Sequence, residues 1–162
     1  MLTKEAAELG VAEFSDAVTS WSSFVAEHLR KHPEVRARLG DAAQAVKSNA
    51  SPPTFGGSVL TQVHCHERAV GDHSDTTELF DAMGVREDTV STGCCGLAGN
   101  WGFEPGHAEL SFQLGERELF PRAREAEQVC AVGFSCRTHV EQGTGTRPQH
   151  VAQLLAHVLT DR

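Results

Sequence analysis

The chain of 162 residues is 40% hydrophobic and 22% charged, with 15 glycines and 6 prolines, a composition typical of one compact globular domain that excludes collagen, coiled coil and disorder. Its formal net charge of −8 disfavours nucleic acid and anionic membranes as partners, because both bind clustered lysine and arginine. No apolar run approaches the roughly 20 residues of a membrane span, and the acidic N-terminus lacks the pattern of a secretory leader, so we expect a soluble, cytoplasmic protein.

The N-terminal part of the chain is predicted to form two helices. Apolar residues that recur at intervals of three and four predict an amphipathic helix of about 18 residues, ending before His32-Pro33. These residues are Phe14, Val18, Trp21, Val25 and Leu29. A second helix is expected to begin at Pro33 and to bury Val35, Leu39, Ala42 and Val46. Because residues 48–53 are typical of a linker, we expect residues 1–50 to be a helical lead-in to a domain over residues 54–162, within one compact unit.

Strand and helix patterns alternate after the linker. The β-rich run from Ser58 to Val63 is the first predicted strand. Asp75-Thr76-Thr77-Glu78 has the pattern of a capping box, which predicts a short helix with Leu79, Phe80 and Met83 that ends at Gly84. Residues 88–91 form a weaker second strand.

The C-terminal part continues this alternation. Residues 107–126 are predicted to be mostly helical, with a kink or break at Pro121 and with Leu110, Leu114 and Leu119 facing inward. Residues 128–132 are the third strand, residues 143–145 a glycine-rich turn, and the closing helix buries Val151, Leu154, Leu155, Val158 and Leu159. The predicted fold class is therefore α/β: a small parallel sheet with flanking helices and right-handed crossovers, preceded by two N-terminal helices.

The chain has five cysteines, an odd number that argues against a disulfide framework. Cys65 follows the first predicted strand, Cys94 and Cys95 the second, and Cys136 the third. The carboxyl ends of parallel strands meet at one edge of a sheet, so these four thiols are predicted to converge there on a metal site. Cys130 lies inside the third strand and is predicted to be an ordinary buried thiol.

Four converging thiolates hold either zinc or an iron–sulfur cluster. Zinc ligands usually come in pairs about two to four residues apart, whereas adjacent cysteines suit adjacent irons. Gly93, Gly96 and Gly99 let the backbone approach a bulky cluster and point N–H groups at its sulfides. An iron–sulfur cluster is therefore the first hypothesis and a zinc ion the alternative, while a glycine-rich turn with two buried thiols needs neither.

Three segments resemble the cysteine-rich CCG domain. They are Val63-His64-Cys65-His66, the run from Gly93 to Glu104 with its Cys-Cys-Gly-Leu-Ala-Gly sequence, and Gly133-Phe134-Ser135-Cys136-Arg137 followed by Gly143-Thr144-Gly145. That domain occurs in the iron–sulfur subunit of glycolate oxidase, in the B subunit of heterodisulfide reductase, and as the C-terminal iron–sulfur domain of FAD-linked D-lactate and D-2-hydroxyacid dehydrogenases. The last group is the most similar, and the resemblance extends from about Val59 to Leu159.

The resemblance implies an iron–sulfur domain that passes electrons from a reduced flavoprotein to an acceptor. It also implies that Cys65, Cys94, Cys95 and Cys136 are the ligands of a [4Fe–4S] cluster. In heterodisulfide reductase a further cysteine stands three places before the last ligand, where this chain has Gly133. That departure puts disulfide-reducing catalysis at the cluster in doubt.

A second departure concerns the flavin. The flavin-binding portion and the ferredoxin-like Cys-x-x-Cys-x-x-Cys run of the dehydrogenases have no counterpart in these residues. The resemblance therefore implies an oxidoreductase component that works with a flavoprotein dehydrogenase or another redox partner, rather than a complete enzyme. A zinc-binding structural or interaction module and a stand-alone metal-dependent thiol/disulfide oxidoreductase remain the alternatives.

Two histidines flank the first predicted ligand. If the strand continued, His64 and His66 would share one face and Cys65 would lie on the other. We expect them either to donate hydrogen bonds near the cluster, which would set its potential, or simply to pack. With Glu104 they also offer a mononuclear metal site, but that site would leave the four cysteines unexplained.

Other residues are expected around the cluster because they belong to the segments that resemble the CCG domain. Gly96 and Glu104 are among them. Trp101 and Phe103 are predicted either to shield the cluster from water or to be core residues. Arg137, next to the last ligand, is predicted either to offset the charge of the thiolates or to be a solvent-facing helix residue.

Overall fold

The computed structural model describes residues 9–10, 18–49, 57–70, 73–91 and 93–160. These residues form helices on both faces of a three-stranded sheet, with a short 3-10 turn at Trp101–Phe103. The helices are α1 (Trp21–Lys31), α2 (Pro33–Asn49), α3 (Cys65–Val70), α4 (Ser74–Ala82), α5 (Ala108–Glu116), α6 (Leu119–Glu125), α7 (Phe134–Thr144) and α8 (Val151–Thr160). The strands are β1 (Ser58–Gln62), β2 (Arg86–Thr89) and β3 (Val129–Ala131). None of the helices in the described ranges is long and apolar enough to cross a membrane.

The sheet is parallel throughout, in the order β2-β1-β3. Ser58 lies opposite Arg86, and Leu60 lies opposite Val129. The predicted α/β class with a small parallel sheet is therefore confirmed. Strand β2 begins and ends two residues earlier than predicted, although the N–H of Val90 still donates to the Thr61 carbonyl at 3.0 Å.

The first helix is shorter than its apolar pattern predicts. Helix α1 begins at Trp21 because the Ser20 hydroxyl accepts a hydrogen bond from the Ser23 N–H at 3.0 Å and caps it. Val18 therefore precedes the helix, and Phe14 lies outside the described residues. The second helix begins at Pro33 as predicted, but it continues to Asn49, into the segment interpreted as a linker.

Alternating residues of the strands face two apolar cores. On one face, Val59 and Cys130 pack against α1, α2, α4 and α8; we call this the N-terminal core. On the other face, Leu60, Val129 and Ala131 pack against α6 and α7 and the loop after β2; we call this the cysteine-side core. Because β-strand side chains alternate, a one-residue difference in position decides which core a residue joins.

The start of α4 does not contain the predicted capping box. The helix begins at Ser74, one residue before Asp75, and its N-cap residue His73 makes no side-chain capping bond. The Glu78 carboxylate instead accepts hydrogen bonds from Arg30 at 2.7 Å and Arg36 at 2.8 Å. The helix otherwise follows the prediction: Leu79, Phe80 and Met83 are buried, and Gly84 has a φ of 62° after its end.

The region of residues 107–126 contains two helices, which part at Arg117 and Glu118 rather than at Pro121. Pro121 lies in the first turn of α6, where its missing N–H has no intrahelical partner to lose. Leu119 is buried as predicted, but Leu110 is 49% exposed, so its predicted inward orientation is wrong.

The last part of the chain contains a helix whose extent the sequence patterns did not predict. Helix α7 directly follows β3, and the predicted turn residues Gly143 and Thr144 form its final turn. Gly145 then adopts a left-handed conformation with a φ of 75° and ends it. The closing helix α8 buries Val151, Leu154 and Val158 as predicted, while Leu159 remains 47% exposed.

Candidate metal centre

The four predicted ligands lie beyond the carboxyl ends of the three strands. Cys65 is the first residue of α3 after β1, Cys94 and Cys95 lie in the loop after β2, and Cys136 lies in the first turn of α7 after β3. Because the strands are parallel, these three connections leave the sheet at the same edge. Cys65 and Cys94 are exposed, whereas Cys95 and Cys136 are buried in the cysteine-side core.

The two buried thiols form a hydrogen-bonded pair. The bond from Cys136 lowers the pKa of Cys95 to about 4, against the opposing effect of burial. The same bond raises the pKa of Cys136, and burial and the charges of Cys95, Cys65 and Cys94 add to this. The hydrogen bond between the two thiols therefore favours ionisation of Cys95 over ionisation of Cys136.

Backbone geometry brings an N–H group to one of the exposed sulfurs. Burial raises the pKa of Cys94, and the hydrogen bond from the Gly96 N–H, at 3.4 Å from the sulfur, opposes that rise. Gly96 has a φ of 112°, and a Cβ atom there would lie 2.4 Å from the Ser111 carbonyl oxygen. Only glycine fits this conformation and this space, so the loop depends on its missing side chain.

The Cys130 thiol is separate from the other four. It lies in β3, is fully buried, and faces the N-terminal core. Burial raises its pKa to about 12, so it remains a protonated thiol at neutral pH. The prediction that Cys130 is an ordinary buried thiol is confirmed.

The described side chains can be compared with what a single ion and a cluster each require. Within the described ranges, no three or more His, Cys, Asp or Glu side chains are gathered as one metal ion requires. The mononuclear site of His64, His66 and Glu104 is therefore not formed among the described residues. Each cysteine of a cubane site binds a different iron, so its ligands need not meet at one point, and four thiols are the usual donor set of a [4Fe–4S] cluster.

The histidines flanking Cys65 are arranged differently from the prediction. Strand β1 ends at Gln62 and α3 begins at Cys65, so the expected strand alternation of His64, Cys65 and His66 is wrong. The two imidazole rings lie 5.7 Å apart. The His64 ring also covers Gly133, where a Cβ atom would lie 2.3 Å from its Cδ2 atom. The His64 ring thus occupies the space that a side chain at position 133 would need.

The aromatic residues after the double cysteine lie near the start of α5. Trp101 stacks on His107 with ring centroids 4.4 Å apart, and the Glu104 carboxylate lies 3.2 Å from Nδ1 of His107. Phe103 is 55% exposed, so the interpretation of Phe103 as a core residue is wrong. Shielding of a cluster by Trp101 remains a prediction.

Arg137 is half-buried and is bound to the end of β3. Its Nη1 group donates to the carbonyl oxygens of Ala131 at 3.0 Å and Val132 at 2.8 Å. The interpretation of Arg137 as a solvent-facing residue is therefore wrong, because its guanidinium fixes the strand end to the helix that carries Cys136. An influence of Arg137 on the charge of a cluster remains a prediction.

Two buried polar residues at the site were missed by sequence reasoning. The Nε2 group of Gln62 donates to the Val63 carbonyl at 2.9 Å and points to the Gly93 carbonyl at 3.4 Å. His139, fully buried, donates from Nδ1 to the Cys95 carbonyl at 3.0 Å. The three-residue spacing of Cys136 and His139 was an available signal, since it places both on one face of a helix.

The chain is similar, over part of its length, to components of dehydrogenases. It is 30% identical over 125 residues to D-2-hydroxyglutarate dehydrogenase of Escherichia coli strain K12, an alignment of 72% of this chain and 12% of that protein. The same enzyme of Pseudomonas putida is 28% identical over 64% of this chain and 10% of that protein. The C subunit of anaerobic glycerol-3-phosphate dehydrogenase of Escherichia coli strain K12 is 30% identical over 62% of this chain and 26% of that protein.

These similarities connect the chain with oxidoreductases. The chain spans only about 12% of the length of the first two D-2-hydroxyglutarate dehydrogenases. No family model matches the chain, and no solved structure matches it. The similarity is therefore to one part of much longer redox proteins, and it supports a dehydrogenase-associated module.

Proposed function

We propose that this chain is an iron–sulfur electron-transfer domain of the CCG type, which holds a [4Fe–4S] cluster on Cys65, Cys94, Cys95 and Cys136. One observation carries the proposal: the four thiols follow three parallel strands at one sheet edge. The partial similarity to D-2-hydroxyglutarate dehydrogenases and to the C subunit of anaerobic glycerol-3-phosphate dehydrogenase supports a role in dehydrogenase redox chemistry.

When bound, such a cluster accepts and passes on single electrons. The residues of this chain determine where that exchange takes place. Cys95 and Cys136 hold the site from the buried side, and Cys65 and Cys94 hold it from the exposed side. A redox partner therefore approaches over Cys65 and Cys94, where the protein leaves the ligands accessible to solvent.

The proposed electron donor is the reduced flavin of a dehydrogenase that oxidises a D-2-hydroxyacid. This part of the proposal rests on the resemblance to FAD-linked dehydrogenases and on the partial similarity to D-2-hydroxyglutarate dehydrogenase. The chain itself then needs no substrate site. Adding D-lactate or D-2-hydroxyglutarate with a redox dye to the purified chain should give no turnover, whereas a reduced flavoprotein should reduce the chain. Substrate-dependent dye reduction by the chain alone would contradict the electron-carrier proposal.

Anaerobic reconstitution with iron and sulfide tests the cluster directly. We expect broad absorption near 400 nm and about four irons and four sulfides per chain, the stoichiometry of a four-cysteine cubane site. One colourless zinc ion per chain would instead support the structural or interaction module.

Two serine variants identify the fourth ligand. Cys136→Ser should lose the colour and some stability, because metal-binding free energy at such a site is also folding free energy. Cys130→Ser is the matched control, since Cys130 is equally buried but faces the opposite core. Loss of colour in Cys130→Ser, with colour kept in Cys136→Ser, would contradict the assignment.

A thiol/disulfide oxidoreductase is the second candidate, and one observation favours it. The hydrogen bond between Cys95 and Cys136 lowers the pKa of Cys95, and a thiolate beside a second thiol is the arrangement that attacks a disulfide. Both residues are buried, however, at 3% and 1% exposure, which restricts access for a substrate disulfide. Incubation of the cluster-free chain with glutathione disulfide distinguishes the two. Rapid formation of a Cys95–Cys136 disulfide with release of two glutathione molecules would favour this candidate.

A further inference from the structure

The cysteine-side core contains a buried histidine that contacts three segments of the chain. His139 lies in α7, one helical turn after Cys136, and is 0% exposed. We propose that His139 is the positioning residue of the metal centre, which fixes the Cys94–Cys95 loop relative to Cys136. The inference rests on the proposed cluster function and assigns a role to a residue outside the ligand set.

Both nitrogens of the imidazole have partners. Nδ1 lies 3.0 Å from the Cys95 carbonyl oxygen, and Nε2 lies 3.2 Å from the Ser111 hydroxyl in α5. A carbonyl oxygen only accepts, so the proton of a neutral ring is on Nδ1, and the Ser111 hydroxyl then donates to Nε2. This tautomer leaves neither nitrogen unpaired in the core, and it connects α7, α5 and the loop after β2 through one side chain.

The ring has little freedom to move. Phe112 and Phe120 meet it edge-on, with centroid distances of 5.2 Å and 4.8 Å. On the loop side, a Cβ atom at Gly96 would lie only 3.0 Å from Cε1 of His139. The imidazole is therefore held by packing as well as by hydrogen bonds, as a residue that sets the position of a ligand must be.

His139 connects two segments of the chain that carry candidate ligands. Cys136 and His139 belong to the same helix, so the bond to the Cys95 carbonyl fixes one ligand-bearing segment against another. Polar groups around the ligands tune the reduction potential of a cluster, and the position of the Cys95 segment determines which groups face it. His139 thereby influences both the geometry and the potential of the centre.

Three variants of the full chain test this inference. His139→Leu removes both hydrogen bonds, and His139→Gln restores an amide N–H that can donate to the Cys95 carbonyl. Val140→Ala is the matched control, because Val140 is the next residue, is equally buried, and belongs to the same core. Each variant is reconstituted anaerobically, and its reduction potential, electron paramagnetic resonance spectrum and cluster half-life in a chelator are measured.

We expect His139→Leu to shift the potential, change the resonance spectrum and shorten the half-life several-fold. His139→Gln should return all three toward wild type, and Val140→Ala should lower the unfolding midpoint while keeping the wild-type potential and spectrum. An unchanged potential and spectrum in His139→Leu, or an equal change in Val140→Ala, would overturn the positioning role.

A measurement on the metal-free chain separates this inference from the proposed function. If wild type takes up no cluster, the cluster proposal fails, but the hydrogen bond to Cys95 can still be tested by alkylation with iodoacetamide and peptide mass spectrometry. Exposed Cys65 serves as the internal standard. His139→Leu should accelerate alkylation of Cys95 several-fold relative to Cys65, and Val140→Ala should not. Equal rates of Cys95 alkylation in wild type and His139→Leu would show that His139 does not fix the loop.

Discussion

The two faces of the sheet are packed in different ways. On the N-terminal face, the glycines leave room for a side chain: a Cβ atom at Gly40 or Gly84 would meet its nearest neighbour at 3.6 Å. On the cysteine side the backbone approaches other groups much more closely. A Cβ atom at Gly96, Gly115 or Gly143 would lie 2.4 Å from a neighbouring atom. The same sheet therefore supports one face with ordinary side-chain packing and another that depends on missing side chains.

The difference extends to polar groups. The cysteine-side core encloses the buried polar residues His139, Ser111 and Gln62, and their hydrogen bonds reach the carbonyls of the Cys94–Cys95 loop or one another. Burying such groups is costly unless they are bonded, so this face tolerates little rearrangement. The N-terminal core is built mainly from aliphatic residues. The cysteine side therefore combines close backbone approaches with buried polar groups, whereas the opposite side is packed mainly with aliphatic side chains.

The largest effect is expected from Gly96→Ala. A φ of 112° is unfavourable for alanine, and the added methyl would meet the backbone oxygen of Ser111 at 2.4 Å. We expect a loss of about 3 kcal/mol or more of unfolding free energy, measured by urea denaturation. Gly145→Ala is the control, because Gly145 also has a positive φ, of 75°, but no atom within 4 Å of its Cβ position. It should cost only about 1 kcal/mol. Equal losses would show that the close contact at Gly96 is unimportant.

A smaller change in unfolding free energy is expected when the pH titrates an ion cluster beside the N-terminal core. His73 lies between Glu67 and Glu87, at 2.8 Å and 2.7 Å from their carboxylate oxygens. Burial opposes protonation of His73, but these hydrogen bonds outweigh it and raise its pKa from 6.5 to about 9. Burial also opposes ionisation of Glu87, but the bonds from His73 and Thr77 lower its pKa below 4.5.

The direction of the pH dependence follows from these shifts. The contribution of His73 is complete below its unfolded pKa of 6.5 and is lost as the pH rises through about 9. The contribution of Glu87 is complete above 4.5 and is lost as the pH falls through its lower folded value. Stability from this cluster is thus greatest between these limits and decreases by on the order of 2–3 kcal/mol toward alkaline pH. Denaturation of wild type and His73→Gln across this pH range measures the change. The difference in unfolding free energy between the two proteins should shrink as the pH rises, and a constant difference would contradict the ion cluster.

Gly40→Ala is expected to raise the stability of the chain, whereas Gly96→Ala lowers it. Gly40 lies in the interior of α2, and a Cβ atom there would make only an ordinary contact with the Ala82 carbonyl oxygen at 3.6 Å. Gly40→Ala should therefore stabilise the chain by about 0.5–1 kcal/mol, because glycine loses more backbone freedom in a helix than alanine. Thermal unfolding measures this gain. A clear loss of stability would mean that the two faces are equally intolerant of added side chains.

Features of the fold that depend on neighbouring residues could be predicted from the sequence, whereas features that depend on distant contacts could not. Local signals predicted the local features: Pro33 begins α2, and Gly84 follows the end of α4. The extent of helix α7 was not predicted because Gly143-Thr144-Gly145 has the composition of a turn, and the rest of the segment has no strong apolar stripe. Its position is determined by packing against Phe120 and by the Cys95 carbonyl, which are distant in sequence.

The candidate site was predictable to a similar extent. The rule that parallel strands expose their carboxyl ends at one edge placed Cys65, Cys94, Cys95 and Cys136 at that edge. The same rule says nothing of His139 or Gln62, because both bind backbone carbonyls of other segments, and a carbonyl has no sequence signature. Sequence spacing therefore indicates the ligands, whereas the residues that hold the ligands in place emerge only from the packed structure.

The smallest effect is expected from Glu78→Gln, on the N-terminal side. Under the capping-box interpretation Glu78 would bind a backbone N–H at the start of α4, a short-range bond that salt affects little. In the structure its carboxylate instead bridges Arg30 and Arg36, whose side chains are 50% and 37% exposed. Exposed ion pairs contribute little and are screened, with a Debye length of about 3 Å at 1 M salt. Glu78→Gln should therefore lower the urea midpoint slightly at low salt, by less than any change above, and not at all at 1 M sodium chloride. Arg36→Gln should behave in the same way. If the urea midpoint of Glu78→Gln were still lowered at 1 M salt, Glu78 would cap α4 as the sequence pattern predicts. The ion pairs would then not be what holds α1 and α2 to α4.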